Sequence, residues 1–267
     1  MIKKIQMYFK TCKTNAQTIG TINKLLENQF EPINKPIINC WNSNDLSFFL
    51  NPKRGNEIII KLLKSVLVYD EKISDIELSS ISSLFFSKSK AWGYNYDSLY
   101  LFGENTFKEK KWSLDFCLGW ESFNKQIIQV RHYRWNNKYA WANQGGSHHF
   151  GVAVYHLINA DKCCLQSAKI IEISISADIV LQMQKSYDMF VCDSGHKNFF
   201  INLFSRENVH IVEYNSNVVL LVFQKENESM KQFISLLDNL DERYILNLNT
   251  YIEERLEKQN RIQSKKQ

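Results

Sequence analysis

The run Gly145-Gly146-Ser147-His148-His149 gathers the residue types that hold an anion. Two successive glycines let the backbone take positive φ and approach a ligand closely, because neither carries a Cβ. The spacing of Val152, Ala153, Tyr155, Leu157 and Ile158 predicts a helix directly after them. A helix start offers unpaired N–H groups and the positive end of the macrodipole, so this loop can accept a phosphate. Ser147 adds a hydroxyl donor, and His148 and His149 add ring donors whose charge grows beside a phosphate. The same letters also describe a tight turn with Ser147 as the helix cap, since Ser is a favoured cap residue.

Other groupings are thinner. Cys192 and His196 have a gap that suits zinc, with Cys163 and Cys164 as further ligands, but structural zinc sites show two clean ligand pairs. No metal ligand is assigned on that basis. Asp193-Ser194-Gly195-His196 holds the letters of a hydrolase triad, yet neighbours on one turn rarely converge and no Gly-x-Ser-x-Gly elbow is present. It reads as a polar loop. Trp92, Tyr94, Tyr96, Tyr100 and Phe102, followed by Lys108, Lys110 and Lys111, form a segment that could stack on bases, or else core aromatics followed by a solvated charge run.

The elements that position the glycine loop follow from periodicity. Ile127 to Trp135 is rich in aromatic and β-branched residues and reads as a strand; Asn136-Asn137 turns it into Tyr139 to Asn143, a β-hairpin. The loop therefore joins a strand to a helix. A strand over Ala168 to Ile175 and a helix over Ala177 to Tyr187 come next, then a hairpin of Val209–Tyr214 and Val218–Phe223 about Asn215-Ser216-Asn217. Ile245, Leu248, Ile252 and Leu256 mark a final helix. Upstream, Ile19, Ile22, Leu25, Leu26 and Phe30 mark a short amphipathic helix, and Glu31 to Asn56 reads as a long connection. Glu57 to Tyr69 suits a buried helix or strand, Asp75 to Lys90 a helix, and Leu114 to Leu118 an extended segment.

Composition sets the class. In 267 residues, 44% are hydrophobic, 23% charged and 13% aromatic, which suits a globular chain with a substantial core and excludes disorder and collagen-like repeats. The net charge of +5 is too mild to mark a nucleic-acid binder by itself. Six cysteines without a Cys-x-x-Cys pair, two of them adjacent, suit a reducing cytoplasm better than a secreted disulfide framework. No apolar run approaches the length of a membrane span or a signal-peptide core, so a membrane partner is not expected.

The segment from Tyr139 to Leu157, Tyr-Ala-Trp-Ala-Asn-Gln-Gly-Gly-Ser-His-His-Phe-Gly-Val-Ala-Val-Tyr-His-Leu, resembles the nucleotide-binding signature of the ParB/sulfiredoxin-like superfamily. That signature is a strand, Gly-Gly-x-His-Arg, and a helix rich in Ala and aromatics. Ile127 to Trp135 resembles the strand before it, and Ser167 to Ser174 the strand after it; residues 125–185 are covered. The resemblance implies ATP or another NTP with Mg²⁺, phosphates on Gly145 and Gly146, and His148 beside them. It departs twice: Ser147 stands where sulfiredoxins carry their reactive cysteine, and His149 where Arg is usual. The first departure argues against a thiol intermediate. The second weakens phosphate binding, because Arg is always charged and His only partly so. Arg131 or Arg134, from the neighbouring strand, are the candidates to compensate.

The resulting expectation is an α+β protein whose centre is a small mixed β-sheet with flanking helices. Its segments are an N-terminal helical region and connection at 1–56, a ParB/sulfiredoxin-like core at 57–190, and a hairpin and helical extension at 191–267. The expected function is NTP-dependent phosphoryl transfer or hydrolysis, with Ser147 and His148 as catalytic residues. Gly145, Gly146, Ser147, His149, Arg131 and Arg134 would bind the nucleotide; the acceptor is not legible in the sequence, a nucleic acid and a protein both being open. The alternatives are a nucleic-acid-binding protein or nuclease of the same fold, and a partner-binding protein with a degenerate pocket.

Overall fold

A computed structural model of the chain describes residues 16–29, 46, 49–85, 98–120, 123, 127–142, 145–203, 209–214, 218–226, 230–241 and 243–265. The first half holds α1 (Ala16–Gln29), α2 (Glu57–Ser65), β1 (Leu67–Glu77), a 3₁₀ turn (Leu78–Ser80), β2 (Ile81–Phe85), α3 (Leu99–Lys110) and α4 (Leu114–Leu118). Next come β3 (Ile128–Tyr133), β4 (Lys138–Ala142), α5 (Ser147–Asn159), β5 (Leu165–Ile175), α6 (Ala177–Ser186) and β6 (Tyr187–Asp193). The remainder is α7 (Ser194–Leu203), β7 (His210–Glu213), β8 (Val218–Gln224), α8 (Lys231–Leu237), β9 (Ile245–Asn247) and α9 (Leu248–Ser264). The class is α+β, with two sheets among the described residues.

The chain forms two compact units, which interleave along the sequence. One unit contains α1, α2 and the chain from Ser176 to Glu257; the other contains Val68–Ile175 and the chain from Lys258 onward. In the first, an antiparallel sheet of order β7-β8-β6-β9 carries its own core, in which Phe190, Phe200, Leu221, Phe223 and Leu236 are fully buried with Leu26 of α1. The expected hairpin of residues 209–223 is therefore two strands of a four-stranded sheet, β7 and β8, with its turn at 215–217 outside the described residues. Asn249 satisfies the part of β6 that β9 does not reach: its Oδ1 accepts from the Met189 N–H at 2.8 Å and its Nδ2 donates to the Tyr187 carbonyl at 3.0 Å.

The second unit carries the glycine loop. Its sheet has the order β1-β5-β3-β4-β2; β3 runs antiparallel to β4 and parallel to β5, and β2 runs parallel to β4. The hairpin expected at Asn136-Asn137 forms with Val130 opposite Trp141, Asn137 at φ 54°, and Asn136 Oδ1 accepting from the Lys138 N–H at 2.9 Å. Ile128, Val130, Trp141, Ile170 and Ala168 bury one face of the sheet beneath α5 and α3. The helices α3 and α5 cross through two glycines: a Cβ on Gly103 would stand 1.9 Å from the Gly151 carbonyl oxygen. With the helices that close, Phe107 of α3 stacks on Tyr155 of α5, ring centroids 5.3 Å apart.

Three expectations are corrected. Asp75 to Lys90 is not a helix as far as it is described: β1 continues to Glu77 and β2 begins at Ile81, separated by the 3₁₀ turn, while 86–90 lie outside the described residues. The serines explain it, because Ser79 Oγ donates to Glu77 Oε1 and Ser80 Oγ to the Glu77 carbonyl, both at 2.6 Å, local bonds that compete with a helix. Leu114 to Leu118 is helical rather than extended; Ser113 Oγ accepts from the Phe116 N–H at 3.2 Å and the Gly119 N–H closes on the Asp115 carbonyl at 2.9 Å. Asp193-Ser194-Gly195-His196 is the end of β6 and the start of α7, with Asp193 Oδ1 accepting from the Gly195 N–H at 2.7 Å.

Candidate functional site

β4 ends at Ala142 and α5 starts at Ser147, so the strand-to-helix junction lies where the sequence puts it. Gly145 has φ 110° and Gly146 φ 76°, conformations that residues with a Cβ rarely adopt. Gly146, not Ser147, is the cap residue; Ser147 is the first helical residue and is buried. Having no side chain, Gly146 makes no side-chain cap bond to the first-turn amides, and the first helical bond runs from the Phe150 N–H to the Gly146 carbonyl at 2.9 Å. Among the described residues, a Cβ on Gly145 would meet nothing within 4 Å. One on Gly146 would stand 2.6 Å from Trp120 Nε1, so this glycine is required by an indole as well as by its φ.

The two histidines diverge. His149 lies between two indoles, 4.3 Å from Trp112 at 9° and 4.1 Å from Trp120 at 11° between ring planes, with Phe116 tilted at 5.6 Å. Both faces of its imidazole are thus covered, leaving only the ring edge for a ligand. Burial, and secondarily the neighbouring His148, hold it below the ordinary imidazole range. His148 is half-buried and tilts against Phe102 of α3 at 5.2 Å. One residue further on, Phe150 centres a second stack, 4.1 Å from Trp141 and 5.3 Å from Phe123, inside the core. His156, at the end of α5, fastens the first stack from behind through a 2.9 Å hydrogen bond between its Nε2 and the Trp112 carbonyl.

The arginines are not brought to the loop. Arg134 adjoins the turn end of the hairpin, while β4 runs about 13 Å from there before the glycines follow. Its NH1 donates to Glu172 Oε2 at 3.2 Å. Arg131 alternates with the buried Val130 and so belongs to the other sheet face from α5. Glu172 also accepts from Lys72 Nζ at 2.7 Å, and these cations, Lys72 first, keep its carboxyl below the usual carboxylate range. Among the described residues no group of three or more His, Cys, Asp or Glu side chains could hold a metal ion. Cys117, under the same helices, is pushed up to about 11 by burial and is not a thiolate.

Trp112, Phe116 and Trp120 were not among the expected site residues. Their spacing of four is the stripe of a helix face, a signal that the extended reading of 114–118 concealed. Trp92, Tyr94 and Tyr96 lie outside the described residues; of the same segment, Phe102 is core and the Tyr100 hydroxyl donates to Asn159 Oδ1 at 3.1 Å. Among the described residues no helix is long and apolar enough to cross a membrane. No curated protein and no solved structure matches the chain. Residues 118–265, just over half the chain and including the loop and both stacks' central rings, match a family of unknown function, and the chain belongs to that family, DUF6685.

Proposed function

We propose that the Gly145–His149 loop binds the phosphates of a nucleoside triphosphate and that the protein is an NTP-dependent phosphotransferase or hydrolase. The observation that carries the reading is the order strand, hairpin strand, positive-φ glycine turn, helix, strand in β3, β4, α5 and β5, as the ParB/sulfiredoxin-like resemblance implies. The fit is with phosphate at the helix start: two positive-φ glycines bring the backbone there without a Cβ, and no side chain of the cap residue competes for the first-turn amides. Ser147 would add a hydroxyl bond, and His148, the less enclosed imidazole, would move a proton or stabilise developing charge. The triphosphate supplies the transferable phosphoryl group, and Mg²⁺ would arrive bound to it. Arg131 and Arg134 take no part.

Calorimetric titration with ATP, CTP and GTP in Mg²⁺ tests the reading. Saturable binding of at least one is expected; none binding would remove it. His148→Ala should then lower turnover by about 10² to 10⁴ with a smaller effect on affinity. The covered faces of His149 favour a second reading, a partner-binding protein with a degenerate pocket, in which nucleotide binds without turnover and His148→Ala changes nothing.

A further inference from the structure

Trp120 is fixed twice. The His149 imidazole covers one face at 4.1 Å, and Gly146 abuts its pyrrole edge, where a Cβ would stand 2.6 Å from Nε1. Yet 41% of the residue is exposed, and as an end ring of the Trp112–His149–Trp120 stack its indole turns one face away from the imidazole. Phe116, 52% exposed, flanks the same imidazole. An indole held rigidly with one face open loses little freedom when a flat ring settles on it.

We propose that the outer face of Trp120 is the stacking platform for the base of a nucleotide whose phosphates lie on the Gly145–His149 loop; the inference rests on that loop being a phosphate site. Contact between the indole edge and Gly146 itself puts platform and helix start within one nucleotide of each other. A free nucleotide is favoured over a nucleic-acid strand because, among the described residues, the lysines from 108 to 111 are engaged: Lys108 with Glu104 at 2.9 Å, Lys110 with Glu109 at 2.6 Å, and Lys111 over the Phe107 ring. A strand would need such cations for its backbone. Stacking on an indole reads area rather than base edges, so purines should bind somewhat more tightly than pyrimidines.

The test is titration of the full chain, and of Trp120→Leu and Trp120→Phe, with inorganic tripolyphosphate, adenosine, ATP and a short oligothymidine. Wild type should bind ATP about tenfold to a hundredfold more tightly than tripolyphosphate, the scale of one base–aromatic stack. Trp120→Leu should erase that advantage and leave tripolyphosphate affinity unchanged, and Trp120→Phe should keep most of it. Equal affinities for ATP and tripolyphosphate in wild type, or full ATP affinity in Trp120→Leu, overturn the platform while the phosphate reading stands. Adenosine binding that depends on Trp120, with tripolyphosphate inert, supports the platform and overturns the phosphate reading. Silence of all four ligands overturns both, and oligothymidine outcompeting ATP overturns the choice of a free nucleotide.

Discussion

Consecutive residues of α5, His149 and Phe150, each centre a stack of three near-parallel rings, and the two stacks differ in what surrounds them. Trp141, Phe150 and Phe123 are sealed in the core, with Trp141 and Phe150 fully buried. Trp112, His149 and Trp120 repeat the arrangement at the rim, with a polar ring in the middle and an exposed indole outside. Burial of apolar area explains the first stack. It explains the second only in part: His149 is buried between the indoles, but the area of Trp120 left in water contributes nothing to folding. The comparison separates rings that hold the fold from rings that the fold holds in place.

The sharpest way to break that distinction is truncation. Phe150→Ala should cost about 3 to 5 kcal/mol in urea unfolding, the range for a buried aromatic removed from a packed core. Trp120→Leu should cost about 1 kcal/mol, since much of the ring is already solvated. Similar losses from both would make the outer stack part of the core. The crossing of α3 and α5 comes next. Gly103→Ala would place a methyl 1.9 Å from the Gly151 carbonyl oxygen and push apart the helix that carries both stacks, costing about 1 to 3 kcal/mol. An unchanged unfolding midpoint would show that the helices can separate freely.

Gly146→Val sits on the boundary. Phosphate approach alone would predict lost binding with an intact fold, but the Trp120 contact changes the expectation. A β-branched residue at φ 76° adds about 1 to 2 kcal/mol of strain and displaces the indole, so lost nucleotide binding should come with altered tryptophan fluorescence. Binding lost with the emission spectrum unchanged would mean that Trp120 does not depend on Gly146.

The strand-to-helix junction was legible because its determinants are local: two glycines, an apolar helix period and an Asn-Asn turn. The hairpin of β3 and β4 was legible for the same reason. Burial of His149 was not, since the rings that cover it come from residues 112 and 120, outside the motif, and only tertiary packing joins them. Likewise Arg134 is adjacent to the motif's hairpin in sequence but is drawn to Glu172, 38 residues away, by a charge pairing that no local pattern reveals. The second sheet was half legible: its hairpin was expected, whereas pairing of β8 with β6 and of β6 with β9 joins segments separated by helices.

The smallest effect is the most specific to the rim stack. Folding lowers the His149 pKa below its ordinary value near 6.5, chiefly by burial. The unfolded chain therefore binds this proton more readily than the folded one, so its contribution to stability is full above about pH 6.5 and is lost as pH falls toward the folded value. His149→Phe keeps a flat ring between the indoles and removes the titration, so its melting temperature should depend less steeply on pH between 5 and 7 than that of wild type. A bound phosphate acts with the opposite sign. It attracts a proton onto the imidazole edge, so ligand affinity should weaken as pH rises even while the free protein becomes more stable. Parallel slopes for wild type and variant in the melting series would place the titration elsewhere than His149. Affinity that rises with pH would show that the anion does not share its site with this imidazole.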